Sequence, residues 1–252
     1  MKKRYLFACM LAGMTVFTSC DKEEEEETPE TPTAAAPANP IPAPSSADGA
    51  LVAIQTANYI NAPFVGEIYQ PVGVAVAVFG NLSGSTYVDC GTVTANGSAL
   101  TKQSNGTYVT VPNATSAQGI DFSDDVSWVV TGNSSTSVPA FNHSPSNPMP
   151  TGPKYSGATS IPRTSEFTLS SSIAITGADS IIYNVISPTA TVSKTVSGSV
   201  GSVTFSAAEM GTLTAGSGYV QIVPYNLSSQ QFGGKTYYFI NESVCTQSVT
   251  FN

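Results

Sequence analysis

Val72, Val74, Val76 and Val78 alternate with Gly or Ala, a period of two that predicts a strand with one bulky face. Tyr87 to Thr94 and Tyr108 to Val111 are β-branched and aromatic, and predict further strands; so does Val126 to Val130, which ends at Gly132-Asn133. Asn96-Gly97 and Asn105-Gly106 fall at breaks in the pattern, where both residues tolerate the positive φ of a type I′ hairpin turn. The strand pattern resumes in Glu166–Leu169, Ser180–Ile186, Thr191–Val196 and Val200–Phe205. It returns in Val220–Val223, Tyr237–Ile240 and Val244–Phe251. No amphipathic helix of ordinary length is visible. Ser206-Ala207-Ala208-Glu209 is a capping box, which starts a single helical turn and satisfies two orphan backbone donors.

The expected fold is all-β, with one or two antiparallel β-sandwich domains. From Asn142 to Gly157 the prolines are too dense for a sheet, so a loop or linker is expected at 142–160. That divides the body into a sandwich at 51–141 and a second at 161–252. In the second, a strand, a helical corner, Leu213, Gly216, Gly218, Tyr219 and another strand follow in order. This order resembles the tyrosine-corner region of immunoglobulin-like and fibronectin-type sandwiches, and the resemblance implies an immunoglobulin-like second domain.

The apolar run at the start reads differently. Met1-Lys2-Lys3-Arg4 precedes the apolar Tyr5–Val16, and Thr18-Ser19 are small residues before Cys20. The run is shorter than the roughly 20 residues that span a bilayer, so residues 1–19 read as a cleaved signal peptide. Cys20 is then the residue that lipoprotein processing acylates, with palmitate-type chains. Cys20-Asp21-Lys22-Glu23-Glu24 resembles the export signal of surface lipoproteins in Bacteroidota, with Phe17 standing where the lipobox usually has Leu. The resemblance implies Lys22, Glu23 and Glu24 as an export signal, and display on the outer membrane facing the cell exterior. Thr28 to Ala47 is Pro, Ala, Thr and Glu, so residues 20–50 are expected to form a disordered, acidic and Pro-rich tether. Thirty such residues reach at most roughly 90 Å when extended.

Charge narrows the choices. Residues 51–252 hold Lys102, Lys154, Arg163, Lys194 and Lys235 against nine acids, a net −4 within the −8 of the 252-residue chain. No basic stripe exists for nucleic acid, which is excluded as a partner. Beyond Cys20 and the leader's Cys9, Cys90 and Cys245 either pair in an exported chain or stay as two buried thiols, and their spacing matches no zinc motif.

Candidate chemistry is sparse. His143 is the only histidine, with no Cys or acid nearby, and reads as a lone surface residue. Asp121, Asp124 and Asp125 cluster, but without the Gly and distal Glu of a calcium loop they suit a turn. Glu67, Asp89, Glu166, Asp179, Glu209 and Glu242 are scattered singly, so no catalytic residue, metal or cofactor is assigned. Trp128 reads as core. Loop aromatics are the better ligand contacts: Tyr155 in the Pro-rich segment, and Tyr225 and Phe232 flanking a loop that begins at Asn226. Asp179-Ser180-Ile181 resembles a Bacteroidota O-glycosylation acceptor, which implies modification at Ser180. The expected function is a non-catalytic, membrane-anchored binding or adhesion module for an extracellular glycan or protein. The alternatives are an accessory component of a periplasmic envelope assembly and, third, a carboxylate hydrolase.

Overall fold

The computed structural model describes residues 47–82, 87–110, 112–123 and 125–252. The leader, Cys20, Lys22, Glu23, Glu24 and almost all of the expected tether lie outside them, as does Asp124. β1 (Gly49–Thr56), β2 (Tyr59–Ala62), β3 (Gly66–Tyr69) and β4 (Val72–Phe79) come first. Six short strands follow: β5 (Val93–Ala95), β6 (Ser98–Ala99), β7 (Thr101–Lys102), β8 (Tyr108–Thr110), β9 (Trp128–Val130) and β10 (Phe141–His143). β11 (Ser160–Ile161), β12 (Phe167–Ser170), β13 (Ser180–Ile186), β14 (Thr191–Ser197) and β15 (Ser202–Phe205) lead to the single helical turn α1 (Ala207–Met210). A long hairpin of β16 (Gly216–Phe232) and β17 (Lys235–Phe251) closes the chain. The fold is all-β.

Most strands join one nine-stranded sheet in the order β14-β13-β16-β17-β1-β4-β8-β7, with β11 also on β17. Its pairs are antiparallel except where β1 and β11 run parallel to β17. β1 and β4 pair along their whole lengths and are buried on both faces, which is why both read as near-continuous Val, Ala, Leu and Ile. The last residues of the stretch expected as a tether, 20–50, are already part of the body: Ala47 is buried and β1 begins at Gly49.

One face of this sheet carries two cores. In the first, Leu51, Ala53, Ala75, Ala77, Phe79, Tyr237 and Phe239 pack with Val93, Trp128, Val130 and Phe141 of the small β10-β9-β5-β6 sheet. In the second, Ile181, Tyr183, Val220, Ile222 and Phe251 pack with Leu169 and Phe205 of the β12–β15 pair, and with Met210 and Leu213 at α1. On the opposite face Val52, Ile54, Val74, Ile182, Val223, Tyr225 and Ile240 form a third apolar cluster.

The segment 142–160 lies in sequence between most residues of the two cores, and one strand serves both. Tyr237 and Phe239 belong to the first core and Phe251 to the second, yet all three stand on β17. The Pro-rich segment between them is bound to the sheet by side chains. Asn241 donates to the Asn147 carbonyl at 2.7 Å, Ser243 to Pro150 at 2.6 Å and Asn226 to Pro148 at 2.8 Å.

Several local expectations hold in the backbone. Asn96 and Gly97 have φ of 43° and 76° between the paired Ala95 and Ser98, as a type I′ turn requires. At Asn105-Gly106 only Gly106 has positive φ, and the Asn105 side chain accepts from Thr107 N instead. Ser206 and Glu209 cap each other as a box, with the Glu209 carboxylate 2.7 Å from Ser206 N. Ser206→Ala is expected to cost about 1 kcal/mol in urea denaturation.

Three expectations change. Tyr87 to Thr92 is not strand, and only Val93–Ala95 is. The closing strands merge into one, β17. The loop expected after Tyr225 is the middle of β16, whose turn to β17 is Gly233-Gly234, with φ of 57° and 77°. Tyr219 stands 41 % exposed on β16, so the tyrosine-corner order is present without a buried tyrosine.

Candidate functional site

Between β1 and β4 the chain does not turn directly but folds out into a separate two-stranded sheet of β2 and β3. Tyr59 faces Tyr69, Ile60 faces Ile68, Asn61 faces Glu67 and Ala62 faces Gly66. The period of two puts the Tyr pair, Asn61 and Glu67 on one face, and Ile60, Ala62 and Ile68 on the other.

The polar face is fastened to the body. Tyr59 donates to the Gly152 carbonyl at 3.0 Å, and Lys154 reaches Glu67 at 2.6 Å. The same ammonium lies 5.3 Å from the Tyr59 ring centroid, and the two Tyr rings lie 5.2 Å apart. Burial, reinforced by Tyr69, Cys245 and Glu67, pushes the Tyr59 phenol up to about 12, so its proton stays in the bond to Gly152.

The apolar face and tip have no such cover. Nine large apolar side chains stand exposed among the described residues, and five belong to this hairpin: Ile60, Phe64, Val65, Ile68 and Tyr69. Phe64 is as exposed as in an extended chain, at 109 %, and Val65 is 73 % exposed. Phe64 has φ of 70°, uncommon for a bulky residue, at the turn between the two strands. Val65 N donates to the Ala62 carbonyl and closes the turn. The result is an exposed apolar tip and face, suited to pressing against an apolar surface.

The residues singled out from sequence lie elsewhere. Tyr225 and Asn226 are 5 % and 3 % exposed, because β16 is covered on both faces there. Asn226 is satisfied internally, donating to Pro148 and Gly177 and accepting from Asp179 N. Phe232 stacks on Phe141 at 4.3 Å in the margin of the first core. Tyr155 is half-buried against the second core, with its hydroxyl on the Ala158 carbonyl. Tyr225, Asn226 and Phe232 thus stand on β16 and not in a loop, while Tyr155 lies in the Pro-rich segment. His143 is half-buried rather than a bare surface residue, with its ring 4.4 Å from that of Phe239. Burial holds its imidazole below the usual value.

Cys90 and Cys245 are both buried free thiols, and burial pushes each thiol up, Cys90 to about 11; they are not paired. Ser180 is half-buried at the start of β13, paired on both sides with Ser197 and Tyr225. Asp121 accepts from Ser123 N in a turn.

Most carboxylates have local partners. Asp89 accepts from Lys102, Gly91 N and Tyr108, which together hold it far below the usual carboxylate range. Glu209 meets Lys194 at 3.0 Å as well as its cap. Glu242 differs from the others in being buried. It is 4 % exposed on β17, registered between Ile54 and Tyr225 on the third apolar cluster's face, and its Oε2 has no hydrogen-bond partner. Burial alone pushes it up to about 7.

Sequence reasoning missed the hairpin, although a trace was there. Tyr-Ile-Asn-Ala and Gly-Glu-Ile-Tyr flank Pro63-Phe64-Val65 as two alternating runs around a turn. No family model matches this chain, and no curated protein matches it in sequence.

Proposed function

We propose that this chain is a lipid-anchored envelope protein, acylated at Cys20 and displayed on the outer membrane facing outward. Its all-β body serves as a non-catalytic binding or adhesion module. The basic n-region, the short apolar run and the small residues before Cys20 support the anchor. Lys22-Glu23-Glu24 supports export to the surface, and the acidic, Pro-rich stretch before Ala47 supports a tether. The observation that carries the binding role is the β2–β3 hairpin, fixed at its base and apolar at its tip. Its Phe, Val and Ile side chains favour an apolar partner over a glycan, which needs aromatic faces set among polar groups. A two-carboxylate hydrolase has less support, since Asp89 and Glu209 are held by lysines and Glu242 is alone in its apolar surroundings.

The test of display is proteolysis on intact and lysed cells, with a variant carrying Ala at Lys22, Glu23 and Glu24. Digestion on intact cells that the variant loses is the expected result. Protection until lysis in both forms would overturn outward display and favour a periplasmic accessory role. A fold-level check accompanies it. Phe64→Asp is expected to leave stability within about 0.5 kcal/mol of the parent in urea denaturation, because the ring touches nothing in the body.

A further inference from the structure

We propose that the partner of the β2–β3 hairpin is a phospholipid bilayer, into which Pro63, Phe64 and Val65 insert to the boundary between headgroups and acyl chains. The inference rests on the hairpin being the contact element and adds what it contacts.

Three observations favour a bilayer. First, the apolar surface is graded as an interfacial element requires. The tip run Ala62-Pro63-Phe64-Val65-Gly66 carries no charge, Ile60 and Ile68 continue it along one face, and Tyr69 stands 41 % exposed at the base. Tyrosines are enriched where an apolar ring must meet headgroups. Second, the acid nearest the tip is neutralised, since Glu67 is ion-paired with Lys154 at 2.6 Å, so no net charge need approach the lipid. Third, Phe64 and Val65 stand exposed at the turn, Phe64 with a positive φ. A fluid apolar phase accepts such side chains without a matching groove. Beyond the Asn61–Glu67 pair that Lys154 holds to the body, only Ala62 to Gly66 is free to enter the lipid, a reach of roughly 7 Å from Ala62 to Phe64 even if fully extended, within the 5–10 Å typical of interfacial elements. With a body of net charge −4, binding is expected on zwitterionic lipid and little affected by salt.

The test uses the full chain carrying Phe64→Trp, with Val200→Trp as a reporter on an exposed turn elsewhere. The native Trp128 is buried and supplies a constant background. The chain is mixed with phosphatidylcholine–phosphatidylethanolamine vesicles, with and without brominated acyl chains. The expected result is a blue shift and bromine quenching at the tip reporter and neither at residue 200, however the chain is otherwise held to the vesicle. Replacing both Phe64 and Val65 with Asp is expected to lower the vesicle affinity contributed by the tip by roughly 10- to 100-fold.

A tip reporter that stays unquenched on vesicle-bound chain overturns the proposal. So does one that shifts only when a protein partner is added, which would assign the hairpin to a protein groove. Failure of the anchor reading shows separately, as a cell-derived protein whose intact mass includes no acyl chains.

Discussion

Glu242→Gln is expected to become more stable relative to the parent by about 3 kcal/mol as pH rises from 4 to 8. In the folded chain burial raises this carboxyl from 4.5 to about 7, and no hydrogen bond to Oε2 offsets the cost. The folded state therefore favours the protonated form more than the unfolded chain does. Below pH 4.5 both states hold the proton and the group imposes no penalty. As pH rises towards 7 the unfolded chain releases its proton while the folded one retains it, and stability falls throughout that window. Above about 7 the loss is complete. Gln has the same shape and no titration, so its urea-denaturation curve lacks this component. Parallel pH profiles for the two proteins would mean that the carboxylate gains water or a partner in the native state. The other shifted carboxylates act in the opposite sense. Asp89 and Glu209 are held low by Lys102, Lys194 and backbone donors, and contribute stability that is lost as pH falls. They are surface groups, and screening keeps their contribution small.

The sequence made some of this legible and left the rest hidden for identifiable reasons. The valines of β4, the Asn96-Gly97 turn and the Ser206–Glu209 box are local: each is decided by a few neighbouring residues, and each formed where expected. The middle of β16 is not local. Asn226-Leu227-Ser228-Ser229-Gln230-Gln231 has loop composition, but pairing with β17 supplies its backbone bonds. Asn226 is buried only because Pro148, Gly177 and Asp179 come from distant segments to satisfy it. Glu242 gave no warning for the same reason, since its apolar neighbours Ile54 and Tyr225 come from other strands. The β2–β3 hairpin was hidden differently. Its alternation is short, and a run of apolar residues ordinarily means core, so an exposed Phe64 carries no mark in the sequence.

Phe239→Ala and Phe251→Ala are each expected to cost about 3–5 kcal/mol, and both losses are expected in one and the same unfolding transition. Each ring is 1 % exposed, the first among Phe141, Phe232 and His143, the second in the other core. Phe251 also lies so close to Gly218 that a Cβ there would come within 2.4 Å of the ring, a fit that a smaller side chain leaves as a void. If the halves were separate sandwiches, each substitution would move its own transition. The long hairpin argues otherwise. β16 and β17 stay registered from Gly216 opposite Phe251 to Phe232 opposite Lys235, so neither core can open without fraying strands that the other needs. The bonds from Asn226, Asn241 and Ser243 to the Pro-rich segment add a second tie between the cores. Calorimetry decides the matter. One transition, with calorimetric and van't Hoff enthalpies equal and shifted by either substitution, is the signature of a single cooperative unit. Two transitions, each answering to one substitution, would mean that the strands bend and part between the cores, and that 142–160 is a true domain boundary.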